Sequence, residues 1–202
     1  MKRGLATAFL FVATVGPASA HSPVKGIGVF YTGMLHPYLV PGHLLVLLAL
    51  GLMIGQHAPT SSRYSLLSFV VALAGSAALV SWLPVEAPPE RILLMVALFA
   101  GLMVAGSVAP GVLLSVLLAI VAGAVLGANS GPEGVLPEEA WLAFAGTLSG
   151  ASLATLYCGG LSAWLSRFPS WQAIAVRVLG SWTSACALIV LVFEYARTGA
   201  VT

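Results

Sequence analysis

The sequence predicts an all-α membrane protein, a compact bundle of six transmembrane helices behind a cleaved signal peptide. Three observations carry that prediction. Apolar residues make up 59% of the 202 and charged residues only 7%, with a mean hydropathy of +1.03; a soluble domain carries about 25% charge to cover its surface. The first twenty residues have the layout of a secretory leader. Beyond them, six apolar runs long enough to span a bilayer alternate with short stretches rich in Pro, Gly, Glu and Arg. The net charge of +2 is too small to point to nucleic acid.

In the leader, Lys2 and Arg3 are the charged start, Leu5 to Val15 the apolar centre, and Ala18-Ser19-Ala20 the small-residue cleavage site. An uncleaved first anchor would need a longer apolar run. Cleavage after Ala20 leaves His21 as the mature amino terminus, where amine and imidazole together can chelate a copper ion; the plainer account is a chance histidine at that position. Residues 21–202 then form a single six-helix domain, with spans at about 29–54, 64–83, 92–108, 112–128, 140–165 and 171–195. Pro59 and Arg63 separate the first two, and Trp82-Leu83-Pro84 closes the second. Pro110-Gly111 turns the third into the fourth. The third and fourth spans are near the lower length limit, so they are expected inside the bundle or nearly upright.

A cleaved leader puts the mature amino terminus outside, and six spans return the carboxy terminus to the same side. Arg63 and Arg167 then fall inside, and all six glutamates (Glu86, Glu90, Glu133, Glu138, Glu139 and Glu194) fall outside. Trp82 and Trp141 would mark the outer interface, Trp164 and Trp171 the inner. Pairs with G-x-x-x-G spacing at Gly51/Gly55, Gly123/Gly127, Gly127/Gly131 and Gly146/Gly150 argue for closely packed helices. Cys158 and Cys186 sit at different depths and read as buried, inert thiols rather than a disulfide.

The first span carries the chemistry. Its first third holds His36, Pro37, Pro41 and His43, and a bilayer core offers no water to groups that a helix break releases. Two helical turns separate the histidines, about 10 Å on one face of a straight helix. A bend at Pro41 would bring the rings closer. An imidazole pair is a frequent start of a transition-metal site; the plainer account is two histidines that hydrogen-bond neighbouring helices.

The stretch His36-Pro37-Tyr38-Leu39-Val40-Pro41-Gly42-His43-Leu44-Leu45 resembles the amino-terminal motif of the HupE/UreJ family, His-Pro-x-x-Gly-x-Asp-His-Leu-Leu. Leu83-Pro84-Val85-Glu86 followed by Ile92 and Gly101-Leu102 is similar to its second helix entry, and Arg177-x-x-Gly180 fits the last span. Two departures stand out. The acidic residue of the first motif is Gly42 here. The second motif, Phe-His-Gly-x-Ala-His-Gly-x-Glu, falls on residues 125–133, where Leu126 and Ser130 replace both histidines while Gly127, Gly131 and Glu133 remain.

The resemblance implies a bacterial inner-membrane protein that handles a divalent transition metal for metalloenzyme maturation, by uptake or delivery. Nickel comes first, with cobalt or copper as alternatives. The ligands it implies are His36, His43, Glu86 and Glu133, with His21 a further candidate. Its partners would be the bilayer, the metal ion and a metalloenzyme or its maturation complex, with oligomerisation open; no tightly bound cofactor is expected. The alternative is a non-transporting subunit that keeps the fold and scaffolds a membrane complex. An enzyme is not expected. Intramembrane serine proteolysis needs Gly-x-Ser-Gly and a late-helix histidine, but Ser149 has its glycine at the wrong offset and spans five and six contain no His. The chain has no Asp for a triad.

Purified protein should therefore have the intact mass of residues 21–202. A mass that includes Met1 to Ala20 would add a seventh helix and remove the amine–imidazole pair.

Overall fold

A computed structural model describes residues 27–56, 59–82, 88–131, 136–168 and 171–199; the leader, His21, Glu86 and Glu133 lie outside them. Seven α-helices occupy this part of the chain: α1 (Val29–Leu39), α2 (Pro41–Gln56), α3 (Pro59–Trp82), α4 (Arg91–Gly106), α5 (Val112–Ala128), α6 (Ala140–Leu165) and α7 (Trp171–Gly199). A short 3-10 turn, Pro137–Glu139, leads into α6, and no strand occurs among the described residues. The all-α class expected from composition holds.

The helix boundaries follow local chemistry. Proline disfavours helical backbone in the residue before it. Val40 is accordingly extended, at φ −94° and ψ 117°, and Pro41 starts α2 at the position that lacks an N–H partner anyway. The first apolar run is thus two helices bent by 77°, a larger break than the kink expected at Pro41. α3 begins five residues before the expected Tyr64, with Pro59 again at a helix start. α4 stops at Gly106 because Ser107 turns left-handed at φ 52°, and the Val108 amide closes the end on the Met103 carbonyl.

Close approaches along glycines fix which helices pair and in which direction. A Cβ at Gly33 would strike the Ala143 backbone, and one at Gly146 or Gly150 would strike Phe30 or Met34, so α1 lies against the first part of α6. Gly51 faces Thr155 and Cys158, and Gly55 faces Gly159 and Ser162. As the chain advances from Gly33 to Gly55, its contacts advance along α6 from Ala143 to Ser162. α1 and α2 therefore proceed in one direction rather than doubling back. Gly123 and Gly127 press on α3 at Phe69 and Leu73, pairing α3 with α5 in parallel. Gly101 meets Gly180 and Ser184, and Arg177 donates to the Ala105 carbonyl at 2.9 Å, so α4 and α7 pair antiparallel. Three of the four glycine pairs read from the sequence serve these contacts; Gly131 faces open space.

α2 is the centre of the bundle. Val46, Leu47, Ala49 and Leu50 are fully buried, and the helix contacts α4, α6 and α7. Each short helix buries seven residues against its neighbours, as expected for helices set into the bundle, while α5 exposes Leu113, Leu117 and Ile120 on its outer face. That continuous apolar exterior is what a lipid-solvated bundle presents. Ser62–Val80, Ala140–Leu165 and Trp171–Arg197 are each long and apolar enough to cross a membrane, and α1 with α2 qualifies as a unit. α4 and α5, at 16 and 17 residues, fall short. Trp141 and Trp164 are exposed near opposite ends of α6, about 35 Å apart along it, spaced to bracket a hydrocarbon core. Cys158 and Cys186 are both free. Cys158 is half-buried, but Cys186 is exposed, against expectation, because it lies on the outward face of α7.

Buried hydroxyls tie the helices together through backbone carbonyls. Ser162 donates to Leu52 O at 2.9 Å, Ser184 to Leu98 O at 3.1 Å and Thr147 to Gly33 O at 3.0 Å. The last bond answers a specific deficit. Pro37 lacks the N–H that would bond the Gly33 carbonyl one turn back. Thr147→Val should leave that carbonyl orphaned in an apolar setting and cost about 1–2 kcal/mol. Thermal unfolding in detergent reads this as a lower melting temperature, whereas Ser149→Ala, which removes only a bond within α6, should change it little.

Candidate metal site

The break at Val40 brings His36 and His43 together. Their ring centroids are 5.4 Å apart with planes at 67°, about half the separation of a straight helix. His43, on the first turn of α2, is fully buried. Nε2 of His36 and both ring nitrogens of His43 are buried atoms. Pro37 is buried beside them, and the Tyr38 hydroxyl donates to the Gly150 carbonyl at 2.8 Å. The end of α1 is thus pinned to α6 twice ahead of the break, at Gly33 by Thr147 and through Tyr38.

A carboxylate that sequence reasoning left in the outer loop comes close to Gly42, the neighbour of His43. Glu90 is the residue before α4, and its side chain does not cap the helix. Instead its Oε2 stands 3.9 Å from where a Cβ on Gly42 would be. Gly42 adjoins His43 and occupies the place of the acidic residue in the motif. A carboxylate from α4 therefore reaches the neighbourhood that the missing side chain of residue 42 would have filled. Asn129 holds the approach, donating to Pro88 O and Val125 O, each at 2.9 Å, which ties the lead-in of α4 to the end of α5. Among the described residues no group of three His, Cys, Asp or Glu side chains is clustered tightly enough to hold a metal. The described residues bring two imidazoles together and set the Glu90 carboxylate close to Gly42. Its signal in the sequence was topological: α2 and α4 run parallel, so the start of one lies level with the start of the other.

The second motif has been repacked. Leu126 is fully buried in the apolar core. Ser130 is buried and bonds back to the Leu126 carbonyl at 2.6 Å, so its hydroxyl is used within its own turn. Ser130 also borders a cavity of about 410 Å³ lined by Leu73, Trp141 and Phe144. Of the ligands implied by the resemblance, His36 and His43 are brought together, while Glu86, Glu133 and His21 lie outside the described residues.

Fold and site together define a multi-pass membrane protein with an imidazole pair buried at a helix break. The chain belongs to the HupE/UreJ family: the family model described as HupE / UreJ protein matches residues 9–190. No curated protein and no solved structure matches it. The family places the chain among metal-accessory membrane proteins.

Glu90→Gln keeps the shape of the side chain and removes its charge. It should weaken divalent-metal binding on the order of tenfold, the scale of losing a supporting carboxylate. Gly42→Asp meets only ordinary contacts at 3.8–3.9 Å, so adding it to Glu90→Gln should restore affinity. Equal affinity in wild type and Glu90→Gln would mean that the carboxylate stands beside the rings without serving them.

Proposed function

We propose that this protein handles a divalent transition metal, nickel first, at the His36–His43 pair, for the maturation of a metalloenzyme. Uptake or delivery across the bacterial inner membrane is the activity, not catalysis on an organic substrate. The observation that carries this reading is the convergence of two buried rings at 5.4 Å. Burying polar nitrogens in an apolar bundle has a cost that a bound ion or a carboxylate offsets. Imidazole nitrogen with a nearby carboxylate suits borderline divalent ions, so cobalt and copper are the alternatives to nickel. Glu86, Glu133 and His21 are the further donors in this reading.

The same proposal takes α1 and α2 as one broken crossing, which brings the number of crossings to six. Contacts that advance steadily along α6 support this, as does the shared direction of α2, α4 and α6. The mature amino terminus is then outside, with the histidine pair toward that side.

A second reading has its own observation. Leu126 and Ser130 are absorbed into packing and local bonding, which suits a subunit that keeps the fold and scaffolds a membrane complex without transporting metal.

Paired measurements on His36→Ala and His43→Ala separate the two. Metal handling predicts loss of divalent-metal binding and cellular accumulation, with membrane insertion retained and thermal stability within a few degrees of wild type. Scaffolding predicts poorer expression or melting and no metal-specific defect. Variants that bind and accumulate metal like wild type would remove the transport reading.

A further inference from the structure

At the far end of α2 from the histidines, a cavity of about 300 Å³ opens between α2, α3 and α6. Its body is apolar: Ile54 and Gly55 from α2, Leu66 from α3, and Leu156, Gly160 and their neighbours from α6. Its polar complement is Arg63 near the start of α3 and Arg167 just beyond the end of α6. Both guanidinium-bearing residues are exposed, and no carboxylate lines the cavity among the described residues.

The cavity's hydroxyls are already committed. Ser62 donates to the Ile54 carbonyl at 2.6 Å, and Thr155 donates to Ala151 O at 3.0 Å. Polar recognition is therefore left to the two arginines, whose forked donors suit phosphate oxygens. Trp164 and Trp171, exposed at the same end, mark the level where headgroups meet acyl chains. A cationic rim over an apolar cleft, at headgroup level, fits one chemistry.

We propose that this cleft binds an anionic phospholipid, with its phosphate held by Arg63 and Arg167 and an acyl chain lying along Gly55, Gly159 and Gly160. Basic pockets between transmembrane helices select anionic headgroups in this way. The cleft is independent of the histidine pair. α3 packs chiefly on α5 and only lightly on α2 and α6, so a lipid seated here fills the wedge between the two groups of helices.

Gly160 provides a clean probe, because a Cβ there meets nothing within 4 Å. Gly160→Leu fills the apolar body and leaves both arginines in place, whereas Arg63→Gln with Arg167→Gln does the reverse. Detergent-purified full-length protein is titrated with phosphatidylglycerol, phosphatidylcholine or inorganic phosphate, and adducts are read by native mass spectrometry. Wild type should favour phosphatidylglycerol over phosphatidylcholine by on the order of tenfold, the scale of two basic contacts. The double arginine variant should lose that preference, and Gly160→Leu should lose the lipid adduct altogether. Single arginine variants, each expected to lose part of the preference, carry the same test if the double variant does not fold. Equal binding of the two lipids by wild type overturns the proposal, as does a lipid adduct undiminished in Gly160→Leu or in folded arginine variants. A phosphate adduct that survives Gly160→Leu while no lipid binds assigns the arginines to a free anion instead.

Discussion

A helix broken inside a bilayer persists only if the backbone groups it releases find partners in the protein. That requirement governs everything around His36 and His43. Pro37 withholds a donor from Gly33, and Thr147 on α6 supplies one. Thr147 can reach because α1 lies directly on α6, and that approach is open only because residues 33, 146 and 150 are glycines. The placement of the imidazole pair thus traces back to three missing side chains and one hydroxyl. None of the four touches a metal in any reading of the site.

The same logic extends through the bundle. Between helices in lipid there is little hydrophobic gain from association, so close packing and interhelical hydrogen bonds supply the cohesion. Each principal pairing here combines the two. Gly51 and Gly55 let α2 settle on α6, where Ser162 bonds to Leu52; Gly101 and Gly180 let α4 settle on α7, where Ser184 bonds to Leu98. Gly123 and Gly127 seat α5 on α3, with Ser76 near both backbones. α2 sits at the junction and is buried on almost every side. A central helix held this way cannot easily shift, and it carries His43 at one end and the cleft rimmed by Arg63 and Arg167 at the other.

Much of this was readable from residue order. The apolar runs located the described helices to within a few residues, and three G-x-x-x-G pairs named interfaces that exist. Proline placement foretold that the histidines would draw together. What could not be read was tertiary. Glu90 looked like one of several loop carboxylates until the parallel course of α2 and α4 set it beside Gly42. The size of the break was hidden too, since Pro41 is compatible with a kink or with a restart. A restart follows when the preceding residue goes fully extended, as Val40 does. Burial was misjudged for Cys186, because an apolar exterior makes outward and inward faces look alike in sequence. The helix α2 shows the same ambiguity in reverse: it is as apolar as its neighbours and differs only in being surrounded.

The two departures from the family pattern differ in kind. At residue 42 the side chain has gone, but a carboxylate from α4 enters the same neighbourhood. Aspartate at 42 together with glutamate at 90 would crowd two negative groups within a few ångströms, so the loss of one leaves the local chemistry largely in place. At residues 126 and 130 the opposite holds. Leu126 fills core volume, and Ser130 spends its hydroxyl on its own helix, so no donor is left for an ion there. A metal path through this bundle would accordingly be supported at the junction of α1, α2 and α4 and unsupported along α5. In the proposed reading the further donors are Glu86 and Glu133, which flank α4 and α5 in the chain.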